Sequence, residues 1–347
     1  MSNSNAENNF LSRDTFTSLK GYLALLVLIH HVTQFTNFMA GTSIGYALLL
    51  LGHYAVVIFI FMSGYGLFAS YEAKGDAYIR QFPKKRLLPF YLTYLFFLIV
   101  YIIYELIIGT KISVSDIIFS LTYGKTLLSF GWYLQLTTLL YVAFFLIWRF
   151  VKNDTAKILF MWSFVIVLIT LSIEFQAPRN NYMPAFSFVI GIMYARHKET
   201  IKKFAEKHSV ISLLISAFVF AAGALAYTLI DFRLSDVVNK NAYLFAGVII
   251  IMIITDMALI FLAMSFCCIC SKIIPAVIIN PVSSFLGQYS LEIYAVQGLV
   301  LRIFYQIIKN QVLYAILSAA AVIFLAVVTH CAISLIKKSI SKTSASS

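Results

Sequence analysis

The sequence predicts an all-α bundle of about ten transmembrane helices with both termini in the cytoplasm, and three observations carry that reading. Apolar residues make up 61% of the 347-residue chain and charged residues 12%, against roughly 25% charged in an ordinary soluble domain. Apolar stretches recur from residue 19 to residue 336 with no polar block large enough to fold separately, and the mean hydropathy is +0.90. Lysine and arginine, finally, collect on alternate connections between those stretches.

Taken in order, runs that approach the roughly 20 residues needed to cross the hydrocarbon place helices at 19–38, 46–70, 87–108, 130–149, 157–174, 182–195, 208–230, 241–264, 282–305 and 311–335. The sixth, "YMPAFSFVIGIMYA", is short and has Pro184 near its start, so a broken or tilted span is expected there. With this count, the side that carries the N-terminus holds 19 of the 26 Lys and Arg, including Lys74, Arg80, Lys84, Lys85 and Arg86 in one loop. The opposite side holds Lys111, Lys125, Arg179, Arg233, Lys240 and Lys309, and Arg302 falls inside a span. That asymmetry puts both termini in the cytoplasm of a multi-pass protein of the plasma or inner membrane. Residues 1–18, with "MSNSNAENNFLSRD", lack the basic region and cleavage site of a signal peptide. They are expected to be a polar tail, followed by one membrane domain over 19–336 and a basic tail over 337–347.

The net charge of +12 is accounted for by loops that face an anionic leaflet, so nucleic acid is not expected as a partner. Cys267, Cys268 and Cys270 sit in "SFCCICSK", far from Cys331. That spacing lacks a fourth nearby ligand, and no metal is expected.

Ionisable groups inside spans are the most informative residues, because each costs free energy unless it faces protein or water. In "SLKGYLALLVLIHHVTQF", Lys20 stands at the cytoplasmic entrance of the first helix and His31 eleven residues later, about 16 Å along the axis. His30 points roughly 100° away, so the two imidazoles are not expected to face one cleft centre together. A neutral imidazole at His31 can accept a proton from a hydroxyl if water reaches it, and packing against a neighbouring helix is its other role. His53 on the second span is either a hydrogen bonder or a second imidazole of the site, with packing the ordinary reading. The loop "YIRQFPKKRLLPFYLTY" holds Arg80, Lys85 and Arg86 at the membrane edge, where they either fix topology and meet headgroups or bind phosphate. Trp132 and Tyr133 fit an interfacial anchor and equally the wall of a sugar cleft. Glu292, Gln297 and Arg302 share one late span, and Asp256 is an isolated acid on another. Glu292 and Arg302 each need a separate partner, and either acid is able to partner an imidazole.

Several of these segments, in order, resemble the integral-membrane acyltransferases of acyltransferase family 3, which include polysaccharide and peptidoglycan O-acetyltransferases. "LKGYLALLVLIHHV" is similar to the family's opening helix, whose separation of eleven between cation and histidine selects Lys20 and His31. "FIFMSGYGLF" resembles its second-helix Phe-Ser-Gly segment, "KKRLLPFY" its basic-to-proline segment and "GWYLQLTTLLY" its fourth-helix tryptophan motif. "FLGQYSLEIYAVQ" resembles its late Gly-x-x-Ser-x-x-x-Tyr segment.

The resemblance implies a ten-helix core that transfers an acyl group, commonly acetyl from cytosolic acetyl-CoA, to a hydroxyl of a surface polysaccharide or lipid-linked glycan. It implies His31 as base or acyl relay and Lys20, Arg80, Lys85 and Arg86 as donor-phosphate contacts. Trp132, Tyr133, Tyr289, Ser290, Tyr294 and Gln297 would line the acceptor path. Three positions depart from the family's pattern: Lys20 replaces an arginine, Thr137 a glutamate and Gln297 a histidine. Glutamine does no imidazole chemistry, which makes Glu292 the candidate acidic partner for catalysis. Larger members append an extracytoplasmic transferase domain, whereas eleven residues follow Ile336 here. Transfer is therefore expected to finish in the membrane domain or with another polypeptide. Besides membrane lipids, a second copy of the chain or polysaccharide-assembly proteins are the partners to consider. The competing function is transport of a lipid-linked sugar or envelope precursor. The sequence lacks the repeated pair of broken helices that would favour alternating access.

Overall fold

A computed structural model describes residues 10–240 and 242–343. The outer parts of the two expected tails, residues 1–9 and 344–347, lie outside these, as do the side chains of Arg233, Lys240, Lys338 and Lys342 that entered the charge count.

The chain is an all-α, multi-pass membrane bundle. Among the described residues, eight helical stretches are long and apolar enough to cross a bilayer, one of them running through Asp76–Ile107. In chain order the helices are α1 (Arg13–Thr36), α2 (Ser43–Lys74), α3 (Asp76–Phe82), α4 (Leu88–Ile107), α5 (Val114–Leu121), α6 (Trp132–Phe150) and α7 (Asp154–Glu174). They continue with α8 (Ala185–Arg196), α9 (Lys198–Lys240), α10 (Ala242–Ile273), α11 (Pro275–Ile278), α12 (Pro281–Gln288), α13 (Ser290–Ile307) and α14 (Gln311–Thr343). The two predicted spans outside the eight are α8 and α13. With 12 residues, α8 reaches only about 18 Å. It is short because it lies inside the bundle, with Ala185, Phe188, Val189, Ile192 and Ala195 all buried.

Several boundaries differ from the sequence expectation, for local reasons. Helix α1 starts six residues early, since Ser12 caps it by accepting a hydrogen bond from the Thr15 N–H at 3.1 Å. The predicted ninth span is two helices, interrupted at Tyr289. A π-helical turn, Pro83–Leu87, joins α3 to α4 and carries Lys84, Lys85 and Arg86. Helix α9 bends at His208, which has non-helical backbone angles. In α5, the Ser113 hydroxyl and N–H both donate to the Asp116 carboxylate, completing a capping box and holding that carboxyl below its usual range.

Helix α1 is central, touching α2, α12, α13 and α14. Two glycine contacts bring backbones together around it, as packing without a hydrophobic driving force requires. Gly21 on α1 and Gly287 on α12 each present a bare Cα to the other helix, against the Ser283 and Thr17 carbonyls. Gly64 on α2 and Gly191 on α8 meet the Phe188 and Phe61 carbonyls in the same way. A methyl group at Gly64 has no room, whereas at Gly66, two residues on, nothing lies within 4 Å. Gly64→Ala is therefore expected to destabilise the protein by about 1–3 kcal/mol while Gly66→Ala is neutral or mildly stabilising, as read from thermal unfolding midpoints in detergent.

Candidate active site

The C-terminal half of α1, the first half of α2, the middle of α10 and the segment before α6 line a cavity of about 290 Å³. Three histidines line it: His30 and His31 from α1 and His53 from α2. Around them stand Gln34, Trp132, Tyr294, Thr255 and Asp256.

His31 is buried and lies flat on Phe130, with ring centroids 3.6 Å apart and an interplanar angle of 11°. Phe130 holds this position with a φ of 63°, a left-handed conformation that a bulky side chain rarely adopts and that costs about 1–3 kcal/mol. Its carbonyl accepts the Tyr294 hydroxyl at 2.6 Å. Gln297, on α13 beside His31, is fully buried and donates to the Tyr294 carbonyl at 3.2 Å. Among the described residues, His31 Nδ1, His30 Nδ1 and Gln297 Oε1 are buried atoms with no hydrogen-bond partner. Orphaned polar atoms are costly inside a membrane, so their grouping marks a place built to receive water or a ligand.

The rotation of 100° between His30 and His31 does not separate them as expected. Their rings approach to 4.8 Å and both line the cavity. The reason is that α1 forms the cavity wall, so adjacent residues flank one void from either side. His30 rests directly on Gly52 of α2, where any Cβ would collide with the imidazole.

Sequence reasoning left His53 and Asp256 as separate residues. In the structure His53 Nε2 stands 3.1 Å from Asp256 Oδ1, and both side chains are buried, at 9% and 6% exposure. The two are 203 residues apart, and the signal that pointed to them was their place inside spans.

The remaining candidates are distributed as follows. Trp132 lines the cavity. Tyr133 packs edge-on to Tyr294 at 4.8 Å and supports it from behind. Glu292 is not among the cavity residues: its carboxylate meets His330 Nδ1 of α14 at 2.8 Å. Tyr289 packs edge-on to that same histidine at 5.0 Å, and Ser290 donates to the Gly287 carbonyl at 3.0 Å. Thr137 bonds within its own helix, to the Tyr133 carbonyl. Arg302 and Glu105 pair directly, and Thr110 donates to the other Glu105 oxygen at 2.6 Å.

At the opposite end of α1, a second pocket of about 510 Å³ is lined by Lys74, Tyr78, Gln81, Phe82, Lys85 and Arg86. Lys20 lies within electrostatic range of Arg86 and Arg13. Arg80 is exposed and does not line this pocket, whereas Lys74, which sequence reasoning had assigned to topology, does. Among the described residues no carboxylate forms an ion pair with Lys20, Lys74, Lys85 or Arg86. Nor is any group of three or more His, Cys, Asp and Glu side chains arranged to hold a metal ion.

Comparison with known families decides between the enzymatic and transport readings of this arrangement. A family model described as an acyltransferase domain matches residues 14–333. The chain belongs to acyltransferase family 3. It is, at the level of that family, a membrane acyltransferase. Neither a curated protein nor a solved structure matches it significantly.

Because His30 is seated on a bare Cα, Gly52→Ala is expected to push the imidazole into the cavity and lower acyl transfer by about 10–100-fold. Gly66→Ala serves as the control that leaves the rate unchanged, with donor-derived acyl groups counted by mass spectrometry.

Proposed function

We propose that this acyltransferase moves an acetyl group from cytosolic acetyl-CoA to a hydroxyl of a cell-surface polysaccharide or lipid-linked glycan. The observation that carries the reading is the alignment of two complementary sites along α1. A cationic pocket with no paired carboxylate among the described residues lies at the Lys20 end, and a cavity lined by three histidines lies around His31.

In this reading the chain crosses the membrane ten times, with α8 and α13 completing the set, and both termini are cytoplasmic. Arg86, Lys85 and Lys74, backed by Lys20, hold the phosphates of the donor. Guanidinium forks suit phosphate oxygens, and the lysines add point charge. At about 290 Å³ the upper cavity is at the lower end of ligand-site volumes. It suits an acyl group and the attacking edge of one sugar ring, with the bulk of both substrates outside. Trp132 offers that ring an apolar face.

The reaction needs a new bond between the acceptor oxygen and the acyl carbon, cleavage of the thioester C–S bond, and passage of the hydroxyl proton to the departing sulfur. His31 is the group on which this turns, as proton carrier or by taking the acyl group on its ring nitrogen. Glu292 is committed to His330 and has no part in this scheme.

The test is to incubate the purified protein with isotopically labelled acetyl-CoA and a panel of envelope glycans, following label into glycan and release of free CoA. His31→Ala is expected to reduce transfer by about 100-fold or more. Arg86→Ala is expected to raise the KM for acetyl-CoA by about 10–100-fold. Undiminished turnover in the His31 variant would remove its assigned role, and movement of unmodified glycan without CoA release would favour transport.

A further inference from the structure

His53 and Asp256 share the cavity with His31 but have a different chemical character. A carboxylate only accepts, so the 3.1 Å contact is His53 Nε2–H donating to Asp256 Oδ1. That bond fixes the tautomer and leaves Nδ1 with its lone pair. Nδ1 is buried and has no partner among the described residues, and His53 and Asp256 both line the cavity. The other groups facing the cavity are His30 and His31 from α1, Tyr46 and Tyr54 from α2, Tyr227 from α9, Thr255 from α10 and Tyr294 from α13, with no lysine or arginine among them. His30 and His31 have Gly52, Phe130 and Gln297 as neighbours and no carboxylate among their described ring contacts. An imidazolium formed at His53 is therefore the one with an opposite charge beside it, the relation by which a carboxylate orients and stabilises a catalytic histidine.

We propose that His53 is the base that takes the proton from the acceptor hydroxyl, with Asp256 as its positioning residue, and that His31 deals with the acyl group. This rests on the acyl-transfer reading above. As the hydroxyl proton passes to His53 Nδ1, the oxygen bonds to the acyl carbon. The bond joining that carbon to its carrier breaks, whether the carrier is the CoA sulfur or a ring nitrogen of His31. The leaving atom then takes up the proton that His53 received; in the relay the His31 ring N–H proton has already left with the CoA sulfur, so either cycle closes with no other reactant.

The test compares two acceptors with labelled acetyl-CoA as donor. Purified envelope polysaccharide or methyl glucoside supplies hydroxyls that need deprotonation, and hydroxylamine attacks as a neutral molecule without it. His53→Gln keeps an amide donor for Asp256 and loses the base. It is expected to lower transfer to hydroxyls by about 100-fold or more while retaining transfer to hydroxylamine and the wild-type unfolding midpoint. Asp256→Asn is expected to lower the ratio of hydroxyl to hydroxylamine transfer by about tenfold or more. His31→Ala should lose both acceptors together. Parallel loss of both acceptors in His53→Gln, or loss of neither, overturns the proposal and leaves the acyl-transfer reading standing. So does a wild type that acetylates hydroxylamine and never a hydroxyl. A wild type that acetylates neither acceptor sinks both.

Discussion

Inside a bilayer there is no water to satisfy a polar side chain, and that constraint organises this protein. Ionisable groups within the spans have mostly found partners on another helix: Arg302 with Glu105, Glu292 with His330, His53 with Asp256. Each such pair fixes how two helices meet. The exceptions are what distinguish a site from a scaffold. His30, His31 and His53 each retain a buried ring nitrogen without a partner and all three line one cavity, with Gln297 beside His31 on α13. Among the described residues, single atoms of Tyr78, Gln135, Trp148, Ser172 and Ser318 are also buried without a partner, each away from this cavity. What sets the histidines apart is that three of them surround one void.

The cavity itself follows from where the backbones are allowed to touch. Glycine contacts clamp α1 to α12 at Gly21 and Gly287 and α2 to α8 at Gly64 and Gly191, towards the end of the bundle that carries Lys20 and the basic loop. Along the other half of α1, His30 packs on the bare Cα of Gly52 on α2, and the cavity opens beside that contact. Into that cavity His53 and Asp256 project from opposite walls.

How much of this was legible in the sequence depended on whether the determining interaction was local. The helical character, the basic loop and the separation between Lys20 and His31 all lie within one element and were readable. The 100° between His30 and His31 does not part their rings, because the helix is the wall of the cavity rather than the side of a cleft. The pairing of His53 with Asp256 spans 203 residues, and no periodicity encodes it. Glu292 looked like the available acid because it shares a helix with Gln297. In fact α14 brings it a histidine that the sequence reading had not singled out. The short α8 was read as a weak span because hydropathy sees its length and not the protein that surrounds it.

Phe130 shows how the site is held in register. Its φ of 63° has no excuse in its own side chain, since neither glycine nor a turn-forming amide occupies the position. Strain of that kind persists only where surrounding contacts over-determine it, and here there are two. The ring is trapped against His31 and the carbonyl is bound by Tyr294, so one residue joins α1 to α13 at the edge of the cavity. The same residue and its neighbour Trp132 also border a larger cavity of about 870 Å³, lined by Lys125, Gln176 and Asn181. The partition between the two spaces is thus the strained Phe130 together with the first residue of α6. Relaxing Phe130 would at once release the stack on His31 and the bond to Tyr294, which ties the shape of the passage to the orientation of the imidazole.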